Sequence, residues 1–436
     1  MTEIQLSLIN FPYREMLTMI FSDYSDEFEF TASAVFRRVV PPVCPECGMP
    51  MIRNGFNIYC KEHLGKATVG RYWCKSCENL IEEGRSFWDK MKAQFFNILT
   101  DIMLRLRLNH VSYEEIESIM TLLYPRDKDT IRNMVQGAIE CMDIPAVKDI
   151  QIVHYDEQHP KAGRTQKFRL TLLDGLTRMV IAEELFDSKD ADTIEGFLRR
   201  NLDTGKPIFI VTDLYRGYSE LFKKVFGNKV THQLCLLHLN KLIVTDFPRK
   251  TTIEQELIKY KLLNIFYNRE LEMEFLSCLI EEERAMRLKS GKEYKTWIKE
   301  AKRAFHDFVH SQELKRRRAG ENLEQRTYHD ALYNFNELMI DIESFEMAVK
   351  KRLMKIKELW PNLTAFYFVH NASATNNAVE NYYSASLKTH RKKQLEEPGI
   401  EDQMKLSALK RAGMFGRSEK TLLDAFVMFI PFLDAG

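Results

Sequence analysis

Five short β-rich runs between residues 148 and 238 constrain the fold of this chain more than any other feature. The runs are apolar and alternate with amphipathic stretches. The predicted strands are Ile150–Tyr155, Lys167–Leu173, Thr177–Leu185, Pro207–Thr212 and Lys229–Gln233, and the predicted helices between them are Ala191–Asn201 and Tyr215–Phe226. Three successive strands can form a meander, and a strand that follows a crossover helix can pair parallel to the first. The pattern therefore predicts an α/β core around a mixed five-stranded sheet with flanking helices.

Two aspartates lie at the ends of strand-like runs in this region. Asp156 ends the first run, and Asp213 follows the fourth. Neighbouring strands lie about 4.8 Å apart, so carboxylates at matching ends of these strands can share a divalent ion. The strand and helix count suits an RNase H-like core, in which a third carboxylate comes from a helix across the same edge. Glu380, within the segment Thr375–Asn381, is the candidate.

The chemistry explains why these positions carry carboxylates. Hard cations such as Mg²⁺ or Mn²⁺ prefer oxygen ligands. Two such ions about 3.5–4 Å apart activate a nucleophile and stabilise a leaving oxygen in displacement at phosphorus. Asp174, Asp187 and Glu157 are rival ligands, and a slip of one residue from Asp156 to Glu157 would move the side chain to the other sheet face.

A cysteine cluster precedes this core. The pairs Cys44/Cys47 and Cys74/Cys77 each have two intervening residues, which suits a four-cysteine zinc ribbon. Cys60 and His63 form a further pair in the loop and are possible additional ligands. The alternative to a zinc site is a fortuitous cluster of reduced cysteines that binds no metal. Basic and aromatic residues around the cysteines suit either nucleic-acid contact or the small core of the ribbon.

Residues 89–147 are predicted to be helical. A capping box at Ser112 begins one helix that runs to about Leu123, and Asp129 or Thr130 can cap a second helix at Ile131–Met142. The arrangement is typical of a helix-turn-helix or of a plain helical hairpin. The DNA-binding candidates at the second helix are Arg126, Lys128 and Arg132.

Residues 239–372 read as an all-helical insertion that precedes Glu380. A basic run after Glu380 suits contact with a DNA backbone or a solvated helix end. Its candidate residues are Lys388, Arg391, Lys392 and Lys393. The run Lys315–Arg318 supports either interpretation equally.

The composition says more about the cellular location of the protein than about its binding partner. The net charge is +1, so any nucleic-acid binding must come from local basic patches. The N-terminus lacks a basic region followed by an apolar stretch, and no apolar run reaches the ~18 residues of a membrane span. We therefore expect a cytoplasmic protein without a membrane partner, associated with the nucleoid if the source is prokaryotic.

The chain resembles the DDE transposases with an RNase H-like core, and within them it is most similar to the Mutator-like group and the related prokaryotic insertion-sequence transposases. Three pieces carry the resemblance over residues 150–436. They are Asp156 within His154–Glu157, Asp213 within Thr212–Tyr218 followed by Cys235-Leu-Leu-His238, and Glu380 preceded by Asn376 and Asn377. A zinc ribbon ahead of such a core also occurs in this group. The resemblance implies that Cys235 and His238 pack near the active site, with zinc ligation as the alternative.

The resemblance implies a transposase that binds double-stranded DNA at terminal inverted repeats and at a target. It implies divalent-metal-dependent strand cleavage and strand transfer at Asp156, Asp213 and Glu380, in a homodimer or higher oligomer. The alternatives are a catalytically silent DNA-binding regulator and an RNase H-like nuclease without joining activity. The predicted divisions are a lead-in at 1–40, a zinc ribbon at 41–88, a helical DNA-binding segment at 89–147, the first part of the core at 148–238, the insertion at 239–372, and the completion of the core with a C-terminal tail at 373–436.

Overall fold

Two compact units make up the chain. The computed structural model describes residues 28–30, 35–61, 65–82, 86–121, 126–159, 167–289, 291–387 and 397–416. The first unit comprises Met1–Pro145 and Pro398–Gly436, and the second comprises Ala146–Glu397. The segment predicted to complete the core at 373–436 is therefore divided, because its part from Pro398 onward belongs to the first unit.

The first unit combines a small sheet with helices. Its strands are β1 (Phe28–Phe30), β2 (Val35–Arg38), β3 (Ile52–Lys61), β4 (Gly65–Trp73) and β5 (Leu80–Glu82). Its helices before the second unit are α1 (Ser86–Leu108), α2 (Tyr113–Met120) and α3 (Lys128–Glu140). Strand β4 is central, since β2, β3 and β5 all pair with it.

One of the two helix caps predicted in the first unit is present, and the other lies at a different residue. The predicted capping box is confirmed, because the Ser112 hydroxyl accepts from Glu115 N–H and the Glu115 carboxylate accepts from Ser112 N–H. The second helix is capped by Asp127, so the prediction of Asp129 or Thr130 was wrong. Asp127 has an extended backbone and accepts from Thr130 N–H at 2.9 Å, and helix α3 begins three residues earlier than predicted.

The second unit contains the predicted mixed five-stranded sheet. Its strands are β6 (Ile152–Gln158), β7 (Phe168–Asp174), β8 (Val180–Phe186), β9 (Ile208–Thr212) and β10 (Val230–Leu234). The order is β10-β9-β6-β7-β8, with β6, β7 and β8 antiparallel and with β9 parallel to both β6 and β10. The meander and the parallel return of the fourth strand are therefore present.

Helices pack on both faces of this sheet, and many helices lie between its last strand and the segment that carries Glu380. The helices of the second unit include α4 (Ala191–Asn201), α5 (Gly217–Phe226), α6 (Leu236–Thr245), α7 (Ile253–Leu263), α8 (Glu270–Met286), α9 (Gly291–Ala319), α10 (Tyr328–Ile340), α11 (Met347–Thr364) and α12 (Asn377–Ser386). Helix α13 (Glu397–Arg411) follows and belongs to the first unit from Pro398 onward. In the part of the chain that the structure describes, no helix has both the length and the apolar character to cross a membrane.

The two faces of this sheet bury different cores. Val153 and Tyr155 of β6 pack with α4 and α5, whereas Ile152 packs with residues of α6, α7, α10 and α11. Strand β9 divides in the same way, with Ile208 and Ile210 in the first core and Phe209 and Val211 in the second. Because side chains alternate along a strand, residue parity decides which core each polar residue faces.

Helix α12 is clamped to the sheet by a buried ion pair. Arg169 on β7 lies 2.7 Å from the Glu183 carboxylate on β8, and both side chains are almost fully buried. The Arg169 guanidinium also donates to Ser386 Oγ and lies over the Tyr382 ring at 5.0 Å. Tyr382 donates its hydroxyl to Glu183. These contacts hold the helix that carries Glu380 against β7 and β8.

We expect Arg169→Met to destabilise the second unit by about 3–5 kcal/mol, because it leaves the Glu183 carboxylate buried without its cation. Urea denaturation followed by the intrinsic fluorescence of the full chain measures the change. A matched control is Arg200→Met, whose pair with Glu184 on the same strand is exposed. That pair should contribute less than about 1 kcal/mol. Equal losses in the two variants would contradict a buried clamp.

Candidate functional site

Strands β6 and β9 bring Asp156 and Asp213 to the same level of the sheet in the second unit. Their parallel register pairs His154 with Val211, and continuing that register by two residues sets Asp156 opposite Asp213. One prediction needs correction: Asp156 lies within β6, which continues to Gln158 by pairing with β7. Asp156 instead lies beyond the part of β6 that pairs with β9.

Sheet parity separates Asp156 from its rival Glu157. Asp156 shares a face with Ile152 and His154, toward the helices that follow β10, and its main-chain carbonyl accepts from the Tyr383 hydroxyl on α12. Glu157 lies on the opposite face. Its carboxylate accepts from the hydroxyls of Tyr155 and Tyr218 and pairs with Lys189 at 3.3 Å. The Glu157 carboxylate therefore faces the core that contains α4 and α5 and not the face of Asp213.

The remaining rival carboxylates lie in other surroundings. The Asp174 carboxylate is buried in the β7–β8 turn, where it accepts from the Thr177 N–H and hydroxyl. The Asp187 side chain is exposed and lies 3.9 Å from the Lys167 ammonium. Neither belongs to the cluster formed by Asp213 and Glu380.

Asp213, His238 and Glu380 converge on one point. One ligand atom from each lies within 4.8 Å of the other two. His238 Nδ1 lies 3.1 Å from Asp213 Oδ1, and His238 Nε2 lies 3.5 Å from Glu380 Oε1. Lys241, one turn further along α6, lies 3.3 Å from the same Glu380 oxygen. Asp156 lies outside this group of three.

The donor atoms fit a divalent cation. Asp213 Oδ1 and His238 Nδ1 are buried, and neither has a hydrogen-bond partner among the described residues. Neighbouring ligands of an octahedral ion with bonds of about 2.1 Å lie about 3.0 Å apart, close to the 3.1 Å between these two atoms. Carboxylate oxygens suit Mg²⁺ and Mn²⁺, whereas an imidazole favours the transition metals. The mixed donor set thus suits Mn²⁺ as well as Mg²⁺.

Electrostatic repulsion and burial disfavour the ionised form of the clustered carboxylates when no cation is bound. Burial and then the charge of Asp213, together with Glu157 and Glu380, raise the pKa of Asp156 to about 8. Burial also raises the pKa of Asp213, although His238 opposes this shift. Clustered carboxylates repel one another unless a cation or a proton neutralises them. A bound cation would relieve this repulsion.

The Cys235-to-His238 spacing has a structural explanation that the sequence did not reveal. Cys235 precedes α6, and its buried sulfur accepts a hydrogen bond from Asn376 N–H at 3.2 Å. Its own N–H donates to Thr212 O, and the next residue donates to Ala374 O. His238 lies one turn later and reaches both carboxylates. The two residues therefore join the loop before Glu380 to the end of β9.

The two asparagines before Glu380 have different environments. Asn376 is fully buried and donates its side-chain amide to Tyr155 O at 2.9 Å. Asn377 is the first residue of α12 and is exposed. The sequence alone assigns a role to neither residue. The structure separates a buried residue at the site from one at the surface.

The four cysteines of the two Cys-x-x-Cys turns (knuckles), Cys44, Cys47, Cys74 and Cys77, form a second candidate metal centre in the first unit. All four sulfurs lie within 4.8 Å of one another. The sulfurs of Cys44 and Cys77 are 3.5 Å apart, and those of Cys47 and Cys74 are 3.4 Å apart. Sulfurs bonded at about 2.3 Å to a tetrahedral zinc ion lie about 3.8 Å apart. The cluster therefore fits zinc with a small expansion.

Both knuckles use the same backbone turn. The residue after each pair has a positive φ, 72° at Gly48 and 59° at Glu78. Cys44 N–H donates to Met49 O and Cys74 N–H donates to Asn79 O, each at 2.8 Å. Two equivalent turns placed face to face give four convergent thiols, as the sequence spacing predicts.

The structure leaves several predicted residues untested. The side chains of Cys60 and His63, and the basic candidates between 388 and 393, lie outside the described residues. At α3, Lys128 pairs with Glu114 at 3.2 Å and Arg132 pairs with Asp129 at 3.3 Å. Arg126 directly precedes Asp127, the residue that caps this helix. DNA contact by these three residues stays a prediction.

Part of the chain is similar to part of a known protein. The chain is similar to an uncharacterised 48.3 kDa protein of the insertion element ISM1 from Methanobrevibacter smithii, with 23% identity over 228 residues. The match covers 46% of this chain and 52% of that protein, so the chain spans about half of the relative's length. No protein-family model matches the chain. The likeness links part of this chain to a protein of a mobile element.

Proposed function

We propose that this protein is a transposase of a DNA mobile element. The observation that carries the proposal is the convergence of Asp213, His238 and Glu380, which lie beside Asp156 on one sheet face. The similarity to an insertion element protein supports the same class of function. Within this proposal the second unit is an RNase H-like core of the DDE, Mutator-like kind, and residues 239–372 are its all-helical insertion.

Asp156, Asp213 and Glu380 are the proposed metal-binding carboxylates, and His238 is a fourth candidate ligand. Divalent cations bound there, Mg²⁺ or Mn²⁺, would activate the attacking oxygen and stabilise the leaving oxygen at a DNA phosphate. The protein's own contribution is positional: β6 and β9 fix the aspartates, and the Arg169 clamp fixes the helix that carries Glu380. Lys241, which is half-exposed beside Glu380, is a candidate contact for the DNA phosphate.

Recognition of DNA is assigned to the first unit. The four-cysteine cluster suits a structural zinc ribbon, and helices α2 and α3 are the proposed elements for binding terminal inverted repeats. Two element ends must be held together before joining, so a homodimer or a higher oligomer is the expected active form. The basic residues Lys388, Arg391, Lys392 and Lys393 are proposed to contact the backbone near the catalytic edge.

The test is cleavage and joining of DNA that carries the element's own ends. Purified full-length protein, with Mg²⁺ or Mn²⁺, is expected to nick an end-containing duplex and to transfer the new 3′-hydroxyl to a target plasmid. A duplex with a scrambled end is the matched control. End binding without nicking would indicate a silent regulator, and nicking without transfer would indicate a nuclease. Either result would overturn the proposed transposase.

A further inference from the structure

Helix α9 (Gly291–Ala319) concentrates positive charge in a chain that is otherwise slightly acidic. The helix contains nine Lys and Arg residues against four Asp and Glu residues, which gives it a net charge of +5. The whole chain has a net charge of +1, so the residues outside α9 together carry a net charge of −4. Positive charge that is gathered on one element of a nearly neutral protein indicates a surface for a polyanion.

One side of α9 packs against neighbouring helices, and the other side carries a row of basic residues. Ala301 and Phe305 are buried against residues of α7 and α8, and the Phe305 ring lies 5.2 Å from the Tyr260 ring. At 3.6 residues per turn, seven basic residues fall within about 80° on the other side, with Asp307 and Glu313 at the edges. All seven are exposed, and they are Lys292, Lys295, Lys299, Arg303, His306, His310 and Arg317. We call this row the α9 basic face.

The cations of the α9 basic face are poorly balanced by carboxylates. Lys295, Lys299 and Arg303 follow one another at intervals of four residues, a spacing at which like charges destabilise a helix. Among the described residues, no carboxylate forms an ion pair with Lys295 or Lys299. The Asp307 carboxylate lies 3.9 Å from Arg303 and 3.6 Å from His306, and all three side chains are exposed. A polyanion bound along this face would relieve the repulsion between its cations.

The length of the α9 basic face suits duplex DNA. Lys292 and Arg317 lie at its two ends, about 38 Å apart along the helix axis. B-form DNA rises about 3.4 Å per base pair, so this length corresponds to about 11 base pairs. Lys and Arg side chains on such a surface contact phosphates, which carry no sequence information. The face therefore suits contact with DNA of any sequence.

We propose that the α9 basic face binds the phosphate backbone of duplex DNA independently of sequence. The inference rests on the proposed function, from which it takes DNA as the partner, and it adds a contact surface outside the metal site and outside the first unit. Cations that neutralise phosphates release condensed counterions, so binding weakens as salt is added. Each contact contributes about 0.9 to the slope of the logarithm of affinity against the logarithm of salt concentration.

The test is the salt dependence of DNA binding by the full chain. Fluorescence anisotropy in Ca²⁺ measures binding to a labelled duplex of random sequence at several NaCl concentrations. The triple variant Lys295→Gln, Lys299→Gln, Arg303→Gln is expected to lower the magnitude of the slope by about 2–3, and to weaken binding to unrelated duplexes equally. The charge-retaining variant Lys295→Arg, Lys299→Arg, Arg303→Lys should keep the wild-type slope. Both variants should melt at the wild-type temperature, because the three side chains are exposed.

A charge-matched control separates this face from bulk charge. Lys206→Gln, Lys223→Gln and Lys229→Gln, combined in one variant, remove three exposed cations outside α9 and should leave the slope nearly unchanged. Equal slope changes in the two Gln variants would overturn the proposal, and so would a wild-type chain that does not bind the random duplex. Binding of polyglutamate through this face, without binding of duplex DNA, would indicate an acidic protein partner instead. A chain that binds DNA through α9 yet neither nicks nor joins element ends would refute the transposase and keep the surface.

Discussion

Asp156→Asn, Asp213→Asn and Glu380→Gln are each expected to abolish strand transfer while leaving folding and DNA-end binding intact. Each substitution preserves the shape of the side chain and removes the negative charge that holds a cation. Metal ions supply several kcal/mol of transition-state stabilisation, so the loss should reach about a thousandfold or more. Strand transfer to a target plasmid, end binding in Ca²⁺ and thermal melting are the three measurements.

Asp187→Asn is the matched control for these variants, because its side chain is exposed and lies away from the cluster. Strand transfer that survives in all three site variants would refute the catalytic assignment. The effect of Asp156→Asn is especially informative, since Asp156 lies beside the group of three but outside it. His238→Ala should weaken Mn²⁺ binding if the imidazole is a ligand, and an unchanged affinity would restrict it to contacts with the carboxylates.

Removal of zinc from the four-cysteine cluster is expected to unfold the ribbon of the first unit. Structural zinc sites contribute about 10–16 kcal/mol of apparent binding free energy at pH 7, far more than a small ribbon gains from its core. Among the side chains that the structure describes, this core comprises Cys44, Met51, Tyr72 and Cys74, packed with Ile81. Cys74→Ser should therefore lower the bound zinc, measured by plasma mass spectrometry, and abolish binding to element ends.

Cys141→Ser is the control for this second prediction, because Cys141 is an exposed cysteine at the end of α3. It should leave zinc content and end binding unchanged. A Cys74→Ser protein with the same zinc content as the wild type would exclude the four-cysteine site. A zinc-free protein with unchanged melting would instead show that the metal does not hold the ribbon together.

Local patterns in the sequence located the five strands and the first two helices of the second unit. Alternating apolar residues located the five strands, and Ala191–Asn201 was predicted with the bounds that the structure has. The end of β6 was misjudged, because Asp156 and Glu157 look like the end of an apolar run. Pairing with β7 carries the strand on to Gln158, and a partner strand distant in sequence is invisible to local periodicity.

The sequence by itself determined the four convergent cysteines, the mixed sheet and the nomination of Asp213 and Glu380, since spacing and period are local properties. Only the tertiary structure decided that Asp156, and not Glu157, lies on the sheet face of Asp213, and that His238 lies between two carboxylates. Only it connected Arg178 through His154 to Asn376. These contacts depend on α6 and α12 packing on one sheet face, and no local pattern specifies how distant segments meet.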